Sequence, residues 1–210
     1  MDFAKCGKIA AVNLKHNLVW HILLAAAFLC IAPVFFGMTR LDPVNTAKLL
    51  ENFVVLTGII LLVPYALPEQ NPQVREVTSS KYTSRALVYL VRELTAILAL
   101  ITVTAMFLMV LKAGECEFNM GRYLFATAAG ALFLGGLGAL AHAVSDNIAV
   151  GYMVPIGFYA FTMSMKPEQL KIFYLYSLSS LNSMTEKYWL AAMGLLMIAA
   201  SILWRQKRRV

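Results

Sequence analysis

The chain has 210 residues, of which 60% are hydrophobic and only 14% charged, with a mean hydropathy of +0.70. Soluble domains carry about a quarter charged residues, so a water-soluble globular protein is excluded, and no stretch outside the apolar runs is long enough for a second domain. The formal charge of +7 comes from basic residues that flank apolar runs instead of lining one face. That pattern points to membrane anchoring and anionic lipid, and not to nucleic acid.

Residues 1–17 place Phe3, Cys6, Ala10 and Leu14 at helical spacing with lysines between them. This is the pattern of an interfacial helix lying on the inner leaflet. The apolar run that follows is too long for a signal-peptide core, so the segment is read as retained. Cys6, Cys30 and Cys116 form no CxxC pair, which predicts neither a disulfide framework nor a metal site.

A helix needs roughly twenty mostly apolar residues to cross the hydrocarbon core. By that measure the chain has six candidate spans: Leu18 to Met38, Leu49 to Leu67, Leu94 to Leu111, Tyr123 to Val144, Ile148 to Met165 and Tyr188 to Trp204. The expected fold is therefore an all-α integral membrane protein, a single domain over residues 1–210. An even count puts both ends of the chain on one side, and RQKRRV directly after Trp204 places that side in the cytoplasm.

The loop TRLDPVNTAK offers Asn45 or Thr46 as a cap for the second span. Glu51, near the end of that span, is expected to snorkel to the surface. Pro64 and Pro68 then stop the helix, and residues 68–93 form the one sizeable basic interruption. Val74 and Val77 with Arg75, Glu76 and Lys81 fit a short amphipathic helix. The third span has a helical lead-in from Ser84, with Arg85 and Arg92 as headgroup anchors that pair with Glu69 or Glu93. A connection this long exceeds what joining two spans requires and reads as a docking element.

In the fourth span, Ala128, Ala131, Gly135, Gly138 and Ala139 recur at spacings of three and four. A face of small residues lets another helix approach closely within a membrane. His142 continues that face and Asp146 lies one turn on. Such a pair either relays protons or makes a helix-terminal hydrogen bond. Gly151, Pro155 and Gly157 predict a kink or break in the fifth span. Residues 166–187 carry Leu170, Phe173, Tyr174, Ser177, Leu178 and Leu181 on one helical face, the pattern of an external amphipathic helix on the outer leaflet.

Much chemistry is missing from the sequence. There is no G-x-x-x-x-G-K-[ST], no HExxH and no G-x-S-x-G. Hardly any charge falls in the middle of a span, which disfavours a self-sufficient ion-coupled carrier.

The order of interfacial helix, two spans, polar segment and four spans, with an external helix before the last, resembles the permease subunit of an ABC-2-type transporter. The text LLVPYALPEQNPQVREVTSSKYTSRALVYLVRE is similar to the region between the second and third spans of such permeases. The resemblance implies a bacterial plasma-membrane protein that works as a pair of permease chains with two separate nucleotide-binding ATPase subunits. It also implies no catalysis and no cofactor on this chain, with Mg-ATP held by the partner. Glu69, Gln70, Val74, Arg75, Glu76, Val77 and Lys81 would then form the ATPase contact, the two valines as its apolar anchor. The second and fifth spans would line the path of a hydrophobic or amphipathic cargo such as a peptide or drug. Two other readings stay open at this stage: the substrate-capturing membrane subunit of a vitamin uptake system, and a membrane assembly protein that transports nothing.

Overall fold

The computed structural model describes residues 3–70, 85–181 and 183–207, and the regular structure among them is helical. The long helices, in chain order, are α1 (Cys6–Phe35), α2 (Pro43–Pro68), α3 (Arg85–Ala113), α4 (Met120–Ser145), α5 (Ile148–Ser164) and α6 (Thr185–Lys207). All of these except α5 are long and apolar enough to cross a membrane. With 17 residues, α5 spans about 26 Å at 1.5 Å per residue, a little less than the hydrocarbon thickness.

The expected interfacial helix is not set apart from the first span. Phe3–Asn13 passes through a π-helical turn, Leu14–Leu18, directly into Val19–Leu29. A π turn absorbs one extra residue while backbone groups stay bonded, so the chain changes phase without a break. The Asn13 amide donates to the Thr95 hydroxyl of α3 at 3.1 Å, which fastens this stretch to the bundle.

The second span starts earlier than its apolar run. Pro43 opens the helix behind an extended Asp42, because proline is already shaped for the first helical position and has no N–H to leave unpaired. Asn45 donates to the Asp42 carboxylate and Thr46 is buried, so neither takes the capping position. The interruption predicted for the fifth span is found here instead. Phe53 leaves helical geometry (φ −120°, ψ −56°), and tighter 3₁₀ turns follow at Val54–Leu56 and Val63–Gln70.

By contrast, α5 runs through Pro155 without a break. Proline cannot donate to the Gly151 carbonyl, but that oxygen lies against the Gly138 backbone of α4, only 2.6 Å from where a Cβ on Gly138 would stand. The freed carbonyl thus packs against backbone where no side chain intervenes, and the helix continues past the proline.

Burial identifies the interior of the bundle. In the most apolar windows, 78% of α2 and 61% of α4 are buried, against 22% of α1 and 33% of α3 and α6. On α4, Ala128, Ala131, Gly135, Gly138 and Ala139 are all buried. It receives α2 at Gly58 and Leu62, and α5 at Gly151. The packing extends beyond these residues, however, because Gly136 meets Gly194 of α6. Apolar all round, α4 is enclosed on several sides.

These contacts are between backbones, so an added methyl group has nowhere to go. A Cβ at Gly136 would lie 2.6 Å from the Gly194 carbonyl oxygen, and one at Gly58 would run into the Ala131 carbonyl. Gly58→Ala and Gly136→Ala should each destabilise the fold by about 1–3 kcal/mol, read as lower thermal unfolding midpoints in detergent. Gly7→Ala, where nothing lies within 4 Å, should leave the midpoint unchanged or raised.

Candidate functional site

Polar side chains gather at two ends of the bundle, one near Arg205 and the other near Lys187. At the Arg205 end α4 stops on Asp146, whose backbone is left-handed (φ 56°) and whose N–H bonds to the His142 carbonyl at 2.9 Å. This closes the helix, and Asn147 at once caps α5 by accepting from the Ala149 N–H at 2.9 Å. The tight joint holds α4 and α5 antiparallel.

The Asp146 N–H thus makes a helix-terminal bond to the His142 carbonyl, and each side chain also reaches another helix. His142 is fully buried, and its Nδ1 meets the Val63 carbonyl of α2 at 3.2 Å, which requires the proton on that nitrogen. The Asp146 carboxylate meets Arg205 at 3.4 Å, and a second guanidinium nitrogen donates to the His142 carbonyl at 3.2 Å. The same guanidinium lies 5.8 Å from the Tyr65 ring centre, within cation–π range. Tyr65 donates to Ser201 at 3.3 Å and packs edge-on to Tyr89. Glu93 is also buried in this half of the bundle, with 1% exposure. Neither of its oxygens has a hydrogen-bond partner among the described residues, so the expected pairing of Glu93 with Arg85 or Arg92 is not made.

At the Lys187 end the corrections are larger. Glu51 does not snorkel; it is 1% exposed and lies 2.7 Å from the Nζ of an equally buried Lys187. Its two oxygens also accept from the Leu178 and Ser179 N–H groups at 2.8 and 2.9 Å. Those N–H groups belong to the first turn of the short helix Ser177–Leu181, where a helix has no internal acceptor for them. Lys187 in turn donates to the Leu175 carbonyl. One carboxylate and one ammonium thus tie α2, α6 and the intervening segment together.

That intervening segment is not an amphipathic helix on the outer leaflet. It consists of short pieces, Pro167–Leu170, Lys171–Phe173 and Ser177–Leu181. Tyr174, Leu175, Tyr176, Ser177 and Leu178 are all buried in succession. A surface helix buries every third or fourth residue, whereas five in a row require the chain to fold back into the protein. Tyr176 packs against Tyr159, whose hydroxyl donates to the Asn52 carbonyl at 2.6 Å. Burial pushes the Tyr176 phenol far above the ordinary tyrosine range, so it stays neutral.

Glu69 and Gln70 close the 3₁₀ stretch that ends α2. Val74, Arg75, Glu76, Val77 and Lys81 lie outside the described residues. Sequence reasoning missed Glu51 and Lys187 as a pair, although a signal was present: opposite charges stand at the same end of two apolar spans. The chain matches no protein-family model, no curated protein and no solved structure.

Removing one member of a buried ion pair strands the other. Lys187→Met should cost about 3–5 kcal/mol, seen as a lower unfolding midpoint. Glu51→Gln combined with Lys187→Met should cost less than the two single changes added together. Arg40→Ala, at the exposed pair with Glu115, should leave the midpoint where it is.

Proposed function

We propose that the chain is the membrane-spanning permease subunit of an ABC-2-type transporter, exporting a hydrophobic or amphipathic substrate with ATP hydrolysed by a separate subunit. The supporting observation is the polarity of the bundle. Tyr65 and Tyr89, on the helices that flank the polar sequence, pack together at the Arg205 end, and at the other end the folded-back segment is latched by Glu51 and Lys187. An exporter half needs a docking element on the side where ATP is used and a closure on the other side that can yield.

The reading takes α5 as the sixth crossing, with both chain ends in the cytoplasm of a bacterial cell. α5 starts beside Asp146, the partner of Arg205, and its Tyr159 reaches Asn52, next to Glu51. Seventeen residues thus connect the two polar ends. The ATPase would dock on Glu69, Gln70, Val74, Arg75, Glu76, Val77 and Lys81, and a second permease chain would complete the path. Because α2 is enclosed within the chain, the cargo would meet α5, whose Met153, Ile156, Phe161 and Met163 are exposed. That face is apolar, in keeping with an amphipathic peptide or drug.

The test is a mild-detergent pull-down of the tagged chain from its native membrane, followed by an ATPase assay. A stoichiometric P-loop ATPase is expected. With Val74→Asp and Arg75→Glu combined, ATPase recovery should fall by at least about tenfold, since a charge buried unpaired in an interface costs 2–5 kcal/mol, while the unfolding midpoint is kept. A chain that comes down without an ATPase and carries a small molecule would overturn the reading in favour of a capture subunit.

A further inference from the structure

The two buried glutamates differ sharply. Glu51 has three donors, from Leu178, Ser179 and Lys187. Glu93, just as deeply buried on α3, has none among the described residues. The polar groups that face this part of the bundle are committed elsewhere. On α2, Tyr65 is near enough to Glu93 to interact with it electrostatically, but its hydroxyl donates to Ser201. On α6, Arg205 serves Asp146 and the His142 carbonyl.

The remaining titratable groups that the structure describes near it make no hydrogen bond to it. The His142 ring of α4 is bonded to the Val63 carbonyl. On α3 itself, Tyr89 stands one turn away with its ring against Tyr65, and Arg92 is the preceding residue. On α1, His21 bonds to its own Asn17 carbonyl, and Lys15 and His16 are exposed. An ionised carboxylate held in an apolar interior without donors is too costly to persist, and such a group takes up a proton instead. A metal ion or an ammonium group would demand several more oxygen or aromatic partners, and the hydroxyl of Tyr65 and the carbonyl of His142 are already engaged.

We infer that Glu93 is a proton-binding site: its carboxyl holds a proton in the packed bundle and releases it to water when α3 separates from its neighbours. The inference does not depend on the transporter reading. Any rearrangement that wets Glu93 then liberates one proton, so its equilibrium moves toward the open form by about tenfold per pH unit as the pH rises. Intramembrane carboxyls of this kind commonly mark functional sites.

The experiment uses N,N′-dicyclohexylcarbodiimide, an apolar reagent that partitions into bilayers and adds to un-ionised carboxyls. The acid proton moves to a reagent nitrogen, and the carboxyl oxygen bonds to the central carbon. Migration of the acyl group to nitrogen then leaves a stable N-acylurea containing every atom of both reactants. The full chain in liposomes at neutral pH is treated, digested and analysed by mass spectrometry. The Glu93 peptide should gain the mass of the reagent faster than the exposed Glu115 peptide by on the order of a hundredfold, the advantage of a neutral acid over an ordinary glutamate. The adduct should vanish in Glu93→Gln, and that neutral variant should keep the wild-type unfolding midpoint. Label on Glu115 without label on Glu93 in the folded wild-type chain would overturn the proposal. So would protection of Glu93 by sodium or calcium ions, or a clear loss of stability in Glu93→Gln, since each would reveal an ionised carboxylate with a partner.

Discussion

The structure depends on backbone contact around α4. Lipid tails are as apolar as leucine, so burying apolar side chains gives helices little reason to associate within a bilayer. Close approach provides one, through dispersion and Cα–H contacts that operate only when no side chain intervenes. Gly58, Gly151 and Gly194 bring α2, α5 and α6 against Ala131, Gly138 and Gly136 in that way. α2 and α5 both lie against α4 at these contacts, and the Val63 carbonyl of α2 is met by the His142 ring of α4.

Around that centre, polarity is arranged by depth. Each end of the bundle holds a charge network that joins helices distant in sequence. At the Lys187 end every oxygen of Glu51 is used, so the desolvation of two charges is offset by their attraction and by two helix N–H groups. At the Arg205 end the guanidinium is shared between a carboxylate, a carbonyl and an aromatic face, and the Glu93 carboxyl has no hydrogen-bond partner among the described residues. One carboxylate is therefore part of the framework. The other is free to respond to protons, because only an unsatisfied group gains by changing its state.

In the transporter proposal these two features take complementary roles. The latch formed by Glu51 and Lys187 keeps the folded-back segment closed, and releasing it would mean separating two charges in a dry interior. That makes the closed form an all-or-none state instead of a gradual one. On the opposite side Glu93, on α3, is the last residue of the polar segment assigned to docking. A displacement of that segment would be felt along α3.

The all-helical membrane class and the long helices were legible in the residues, because both rest on local pattern: apolar runs of membrane length. The tight ending of α4 at Asp146 was also within reach, since His142 and Asp146 are one turn apart. What tertiary structure decided was partnership. A single glutamate near the end of an apolar run reads as a snorkelling group until a lysine from another helix is placed beside it. Tyr174, Ser177 and Leu178 read as one side of a surface helix until the bundle opens a space for Leu175 and Tyr176 as well, with Glu51 ready to accept the Leu178 and Ser179 N–H groups. Likewise Pro155 predicts a break, yet its helix continues with the freed carbonyl packed against Gly138. Local pattern determines which segments leave water, whereas the cost of leaving a charge or a backbone group unpaired is settled only by what lies across the contact.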